Sequence, residues 1–517
     1  MKKLLLAALW LPLMALAQGY TYPSVTFQDL TILGTLTWSG SISPSSLAAQ
    51  AANTVLANVT ASSASPTAVS LPSCSAASDA LNYTSATGFA CNSSINAATL
   101  GGSTFATLIA PYAPLASPTF TGAPLAPTPG LGVNSQQVAT TAFVANRSGC
   151  RNIQDYGGVA NGATDNTSAF NQAKSAGNCV YLGPGNWFFS GPVSITSSTT
   201  SPAAFSVIGA GPDLTQLTFA SGANGLTMSL DGQYNSAHVR DLTIATQGTG
   251  TGAGLELYQQ ATTISNPALS ALSDVTNVTI RGSDGYAATN YWNTALYNVG
   301  VSNVNFTGLV IIGSSGQLGV GLTFGGGTST LPPVQFNVTG SMFMNLQNGI
   351  DIASSYYQGI TVNQSNFTAN ANAGIVVQSS LTGFDQLTIT NSQFANKYGV
   401  QILSQFQNLM ISGNLFIEQN ISGVVGIYNS AAVLFTITNN TFQNANAPSL
   451  SNGLQGIYLN NDSGVGGMVA GNVFRYMSPA VYLDTSTSTV NVQSNAYFNN
   501  NTNVSNHGTN TIGGGSP

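Results

Sequence analysis

Between about residues 235 and 500, short runs of alternating apolar and polar residues recur and end on an aromatic: FNVTGSMF, ITVNQSNF, LTITNSQF, LMISGNLF, FTITNNTF, MVAGNVF and VNVQSNAY. Their last residues are Phe343, Phe367, Phe394, Phe416, Phe442, Phe474 and Tyr497, at steps of 24, 27, 22, 26, 32 and 23 residues. A second run follows each of the six phenylalanines, mostly opened by glycine: GIDI, GIVV, GVQI, GIYN, GIYL and AVYL. Looser copies come earlier, VRDLTI with GLEL, VTNVTI with ALYN and VSNVNF with GLTF. Period-two runs of this length are strands. A repeat of roughly 20 to 50 residues built from them is a solenoid. The leucine-rich horseshoe is excluded, because its fixed leucines and the asparagine after them are missing. The fold class expected is all-β, a parallel β-helix.

Neighbouring positions of a strand face opposite sides, so Ile350 and Ile352 are expected inside and Asp351 outside. Stacked in that phase, the second runs present an outward column of Glu256, Tyr297, Thr323, Asp351, Val376, Gln401, Tyr428, Tyr458 and Tyr482. Successive members lie about 4.8 Å apart. The phenylalanines form an inner stack. Asn414, Asn440, Asn472 and Asn495, each two residues before its aromatic, predict a ladder of amides bonded to one another or to turn backbone, in a residue type that tolerates left-handed backbone.

The chain opens MKKLLLAALWLPLMALAQG, in which two lysines precede an apolar run closed by Ala15-Leu16-Ala17. That is the pattern of a secretory signal peptide over residues 1–17, too short for a membrane span of about 20 residues. No later segment has 18 uninterrupted apolar residues. The mature protein is thus expected to be secreted and to lack a membrane span. Residues 18–149 are rich in Ala, Ser, Thr and Pro, with Asp29, Asp79 and Arg147 their only charges. Strand-like pieces such as Val25-Thr26-Phe27 and Leu36-Thr37-Trp38 lie between turn clusters. This zone reads as an extended region, stabilised by intertwining with other copies or by docking. A short helix over Ser168–Ala176, capped by Asp165 and Thr167, then a strand from Cys179 and a Pro184-Gly185 turn, open the coil domain at 150–500. Residues 501–517 are expected to be a flexible tail.

Only 5% of the residues are charged, nine Lys and Arg against fifteen Asp and Glu. Scattered cations cannot build a nucleic-acid surface, and the Glu, Lys and Leu heptads of a coiled coil are missing. Cys74, Cys91, Cys150 and Cys179 are read as local pairs, Cys74–Cys91 and Cys150–Cys179, although four cysteines allow three pairings. Their spacing matches no zinc site and the chain has two histidines, so no metal and no cofactor is expected.

Two stretches resemble known families. LASPTFTGAPLAPTPGLGVNSQQVATTAFV, Leu115–Val144, is similar to a phage tail-fibre module, "SPTFTG…P" followed by "QQVATTAFV". The resemblance implies a shaft or linker in a homotrimeric fibre. Together with the signal peptide it leaves two origins open, a bacterially secreted relative and a phage- or prophage-derived virion tail. From Cys150 to about residue 220, DYGG, NG and TDNT before the helix, then VYLGPGNW, resemble the opening of the pectate-lyase-like superfamily of right-handed β-helices. Asp155, Asp165 and Asn166 are read there as turn and cap residues.

That resemblance, and tailspikes with it, implies a polysaccharide partner and a hydrolase or lyase. Tyr428, Tyr458 and Tyr482, with Gln401, are the expected carbohydrate contacts, since tyrosine offers an apolar face with a hydrogen-bonding tip. Cleavage by hydrolysis needs two carboxyl groups about 5 to 9.5 Å apart. The candidates are Asp351 and Glu418, with Glu256 and Asp385 in reserve. Glu256 and Asp351 stand three coil steps apart, about 14 Å, so no close pair emerges within one chain, although subunits of a trimer could combine theirs. The superfamily's polygalacturonase motifs, Asn-Thr-Asp, Asp-Asp and Gly-His-Gly, do not occur. Asp241 and Asp274 are assigned to tight turns. Two functions stand side by side, a polysaccharide-cleaving enzyme and a non-catalytic carbohydrate-binding adhesin or structural fibre.

Overall fold

The computed structural model describes residues 49–75, 80–92, 99–100, 103–104, 149–197, 202–260, 264–418, 423–431, 434–444, 453–460 and 466–513. The signal-peptide segment, the pieces at 25–27 and 36–38, and the stretch 115–144 lie outside the described residues. The chain divides into two compact units, Met1–Leu125 and Ala126–Pro517. In the first, Thr54–Ala57 pairs antiparallel with Thr67–Ser70, Ala80–Thr84 with Gly88–Asn92, and Thr99–Leu100 with Ser103–Thr104. Isolated two-stranded ribbons are marginally stable in water. A disulfide between Cys74 and Cys91 ties down the second of them.

The second unit is a right-handed parallel β-helix whose coils contribute to three sheets. Sheet I runs from Arg151–Asn152 and Cys179–Tyr181 to Thr509–Ile512, sheet II from Asn161–Asp165 and Gly185–Phe189 to Ala496–Phe498, and sheet III from Val193–Thr196 to Val504–Asn506. Two long strands, Ser236–Thr246 and Ser273–Gly282, serve both sheet I and sheet II. Elsewhere the corner between these sheets is a tight turn through one left-handed residue per coil, as at Gln364, Asn391, Asn439 and Ser494.

The residue after each left-handed one points inward and bonds to the next coil. Asn414, Asn440, Asn472 and Asn495 are buried, and each of the first three donates its backbone N–H at 2.9 Å to the amide oxygen of the next. Their own backbones are not left-handed; that strain is carried by Gly413, Asn439, Gly471 and Ser494. Toward the N-terminus the ladder continues as Ser392, Ser365 and Ser341 with the same backbone-to-side-chain bonds.

Phe343, Phe367, Phe394, Phe416, Phe442 and Phe474 stack inside, with centroids 4.7–5.0 Å apart and planes within 11°. All are buried. The glycines that open the sheet III strands exist because of them. A Cβ on Gly399 would lie 2.5 Å from both the Gly426 carbonyl oxygen and Phe416 Cδ1, and one on Gly374 would lie 2.7 Å from Gly399 O and Phe394 Cδ1.

The N-terminal end is closed by the helix Thr167–Ala176, whose Phe170 meets Phe189 edge to face at 6.0 Å. The Cys150–Cys179 disulfide fastens the segment before the helix to the first coils. Asp165 Oδ1 accepts the N–H and hydroxyl of Thr167 and the N–H of Ser190, and Oδ2 accepts the Ser190 hydroxyl. Burial opposes ionisation, but these bonds outweigh it and hold the carboxyl at about 2. Asn166 is 1% exposed and bonds to the backbone of Val159, Thr164 and Phe188.

The flexible tail expected from residue 501 is corrected. Val504–Asn506 pairs with Val481–Leu483, and Thr509–Ile512 pairs with Ser488–Gln493. The edge of a stack offers unpaired N–H and C=O groups, and the strands over 504–512 cover those of the coil before them.

Candidate functional site

The outward column of sheet III has the register read from the repeat. Glu256 pairs with Tyr297, Tyr297 with Thr323, Thr323 with Asp351, Asp351 with Val376, Val376 with Gln401, Gln401 with Tyr428, Tyr428 with Tyr458 and Tyr458 with Tyr482. Tyr428 and Tyr458 stack at 5.2 Å and 13°, Tyr458 and Tyr482 at 4.6 Å and 11°. The outer faces of the stack are met by Tyr398 at 5.9 Å and by His507 at 5.2 Å.

This stacking changes what the tyrosines can do. Their faces are covered by one another, so a sugar ring cannot lie flat on them as expected. What faces solvent is a row of ring edges and hydroxyls at coil spacing, beside the Gln401 amide. Burial, the neighbouring Asp484 carboxylate and the adjacent phenols raise the pKa of Tyr458, which keeps its O–H a donor.

Asp351, Glu256 and Asp385, the candidate carboxylates whose side chains are described, are not brought together. Asp351 is 8% exposed, and its outward side is covered by Gln378, whose Nε2 donates at 2.9 and 3.0 Å, and by Asn348, whose Nδ2 donates at 3.3 Å. Burial raises its pKa, against those bonds. Glu256 is half-buried three strands away and accepts the Thr227 hydroxyl at 3.2 Å. Asp385 is exposed in the segment before the sheet I strand Leu387–Thr390 and accepts from Asn408 at 2.9 Å. The backbone of Glu418 pairs with Asn444 in sheet II; its side chain lies outside the described residues. No cluster able to hold a metal occurs among the described residues.

Charged groups gather elsewhere, on sheets I and II. Asp274, expected in a tight turn, lies in the strand Ser273–Gly282, directly across from His238. The strand begins one residue before it, because Ser273 and Asp274 extend the run VTNVTI upstream in register. Its carboxylate bonds to His238 Nδ1 and accepts Arg240 Nε at 2.6 Å and Nη2 at 2.5 Å. Burial opposes its ionisation, and the bonds and charges of Arg240 and His238 hold its pKa well below the carboxylate range. Asp241, also expected in a tight turn, lies instead within the strand Ser236–Thr246, at a left-handed residue. On sheet II, Arg281 Nη2 bridges Asp213 and Gln216 at 3.0 Å, and the Tyr286 hydroxyl donates to Asp213. The sequence signal was the crowding of eight charges into residues 213–284 of a chain with 24 in all.

Residues 150–376 match the family described as rhamnogalacturonase A/epimerase, pectate lyase-like. The coil unit is a parallel β-helix, and over those residues it is similar to that family. Among solved structures, the chain is similar to the surface adhesin PfbA of Streptococcus pneumoniae, at 14% identity and a TM-score of 0.48, over 71% of this chain and 100% of that one. The Dettilon tailspike protein follows at 13% and 0.47, over 70% and 71%. The catalytic unit of a GH87 α-1,3-glucanase from Streptomyces thermodiastaticus stands at 14% and 0.44, over 71% and 68%. No curated protein matches the sequence. Among the described residues no helix is long and apolar enough to cross a membrane.

Proposed function

We propose that the β-helix binds a polysaccharide along the outer column of sheet III, with the chain lying across Gln401, Tyr428, Tyr458 and Tyr482. The observation that carries this is the tyrosine ladder itself, three half-buried phenols stacked on consecutive coils. Such a row offers ring edges for apolar contact and hydroxyls for hydrogen bonds, repeated at the coil spacing, which suits a polymer of repeating units. The pectate-lyase-like match over residues 150–376 supports the same substrate class. Binding is favoured over cleavage of the glycosidic bond, because Asp351 is covered by Gln378 and Asn348 and stands apart from Glu256.

Affinity electrophoresis of the full chain through gels containing capsular or pectic polysaccharides tests this. Retardation by a polymer is expected, with loss of retardation in Tyr458→Ala and partial loss in Tyr458→Phe. Release of reducing ends or of unsaturated products would favour the enzyme instead. Free migration through every polymer would remove the ladder's assignment and leave it as a contact between subunits of a fibre.

A further inference from the structure

Ser236, His238 and Asp274 make a continuous hydrogen-bonded relay on the outer face of sheet I. Ser236 and His238 are two apart on one strand and so share a face. Ser236 Oγ lies 2.9 Å from His238 Nε2, while His238 Nδ1 bonds to Asp274 Oδ1. Asp274 is the register partner of His238 on the next coil. Its carboxylate is fixed in turn by the two-point contact with Arg240 and by the Thr276 hydroxyl at 3.2 Å. The Asp274 acceptor sets the tautomer: Nδ1 carries the proton and Nε2 is left to accept from the serine. A structural histidine needs no hydroxyl on its second nitrogen, and this one has both.

We propose that this trio is an acyl-transfer centre that hydrolyses carboxylic esters. The same order of hydroxyl, imidazole and carboxylate recurs on unrelated folds and is recognised by geometry, not by chain position. Ser236 Oγ attacks the ester carbonyl carbon while its proton passes to His238 Nε2. The C–O bond to the alcohol breaks, and the imidazolium returns the proton to the leaving oxygen. Water, activated by the same nitrogen, then releases the acid and restores the serine. Ser206, the half-buried register partner of His238 on the preceding coil, offers a hydroxyl to the oxyanion.

The surroundings suit an ester with an apolar acyl group. Tyr234, Leu269 and Leu272 are 57%, 59% and 56% exposed. They flank the relay, since Ala271 N donates to Gln233 O at 3.0 Å and the Gln233 side chain holds the 265–266 loop. Ser236 is 7% exposed, so the acyl group reaches it from this apolar rim. The centre lies on a different sheet from the tyrosine ladder and does not depend on it.

The full chain is assayed with 4-nitrophenyl acetate and treated with a fluorophosphonate, followed by peptide mass spectrometry. Turnover is expected, with kcat/KM lowered at least about 100-fold in Ser236→Ala and in His238→Ala. The fluorophosphonate should add to the Ser236 peptide of the parent and not of His238→Ala. Asp274 acts through the histidine as a positioning residue, so Asp274→Asn should lower kcat and leave KM in place. Near-UV circular dichroism establishes that each variant is folded. Parent turnover no faster than that of Ser236→Ala, or no adduct on Ser236 in the folded parent, overturns the assignment and leaves the relay as an ion-paired brace between coils.

Discussion

Asn440 gives two hydrogen bonds to one atom of Asn472: its backbone N–H at 2.9 Å and its Nδ2 at 3.0 Å both reach the Asn472 Oδ1. Asn440 Nδ2 also donates to Ile411 O, and its own Oδ1 receives the N–H and Nδ2 of Asn414. Every polar atom of this fully buried amide is thus used. Asn440→Ala strands the Asn414 donors and the Ile411 carbonyl, at about 1–3 kcal/mol for each buried group left unsatisfied. Urea unfolding should show a loss of about 3 kcal/mol or more, against little change for exposed Gln443→Ala.

Gly399→Ala is expected to destabilise by about 1–3 kcal/mol through overpacking, because the new methyl meets the Gly426 carbonyl and the Phe416 ring at 2.5 Å. Thermal melts of Gly399→Ala and of Ala480→Gly, which vacates the same position in a late coil, should move unequally, with the first the larger loss.

Asp351 and Asp165 respond to pH with opposite sign. The pKa of Asp351 is raised in the folded state, so its contribution to stability is present below the unfolded value and is lost as pH rises through the folded one. Asp351→Asn keeps a neutral acceptor for Gln378 and should be more stable than the parent at pH 7, with the difference vanishing in acid. The pKa of Asp165 is lowered to about 2, so its contribution is present above the unfolded value and lost as pH falls toward 2. Asp165→Asn should flatten that acid limb of the stability profile. Denaturant midpoints from pH 2 to 8 check both.

Opening the Cys150–Cys179 bond frees a loop of 29 residues. Replacing both cysteines by serine should cost about 3.6 kcal/mol in the chain-entropy account. The loss should fall on the capping helix first, seen as faster amide exchange at Phe170 and Ala173.

The phase of sheet III was legible because each repeat carries two markers in the same order, the aromatic and then the small residue that opens the next strand, and a period of two leaves no freedom once that strand's start is placed. Less legible were features whose residue type changes from coil to coil while the role stays the same. The inner ladder is Asn in the late coils and Ser at Ser341, Ser365 and Ser392, so only its asparagines announced it. A second buried ladder, Asn370 and Asn396 at the corner between sheets II and III, has no neighbouring pattern to mark it. His238 and Asp274 are 36 residues apart, and only the register of sheet I makes them partners. The mutual covering of the tyrosine faces follows from ring planes, which a column of letters does not carry.

Around Tyr458 each sheet III strand pairs only with the one before and the one after it. Duplicating the segment that carries Tyr458 would therefore insert a fourth phenol between its neighbours without disturbing either end. The reach of this surface is in that sense a matter of gene length, adjustable one rung at a time by unequal recombination.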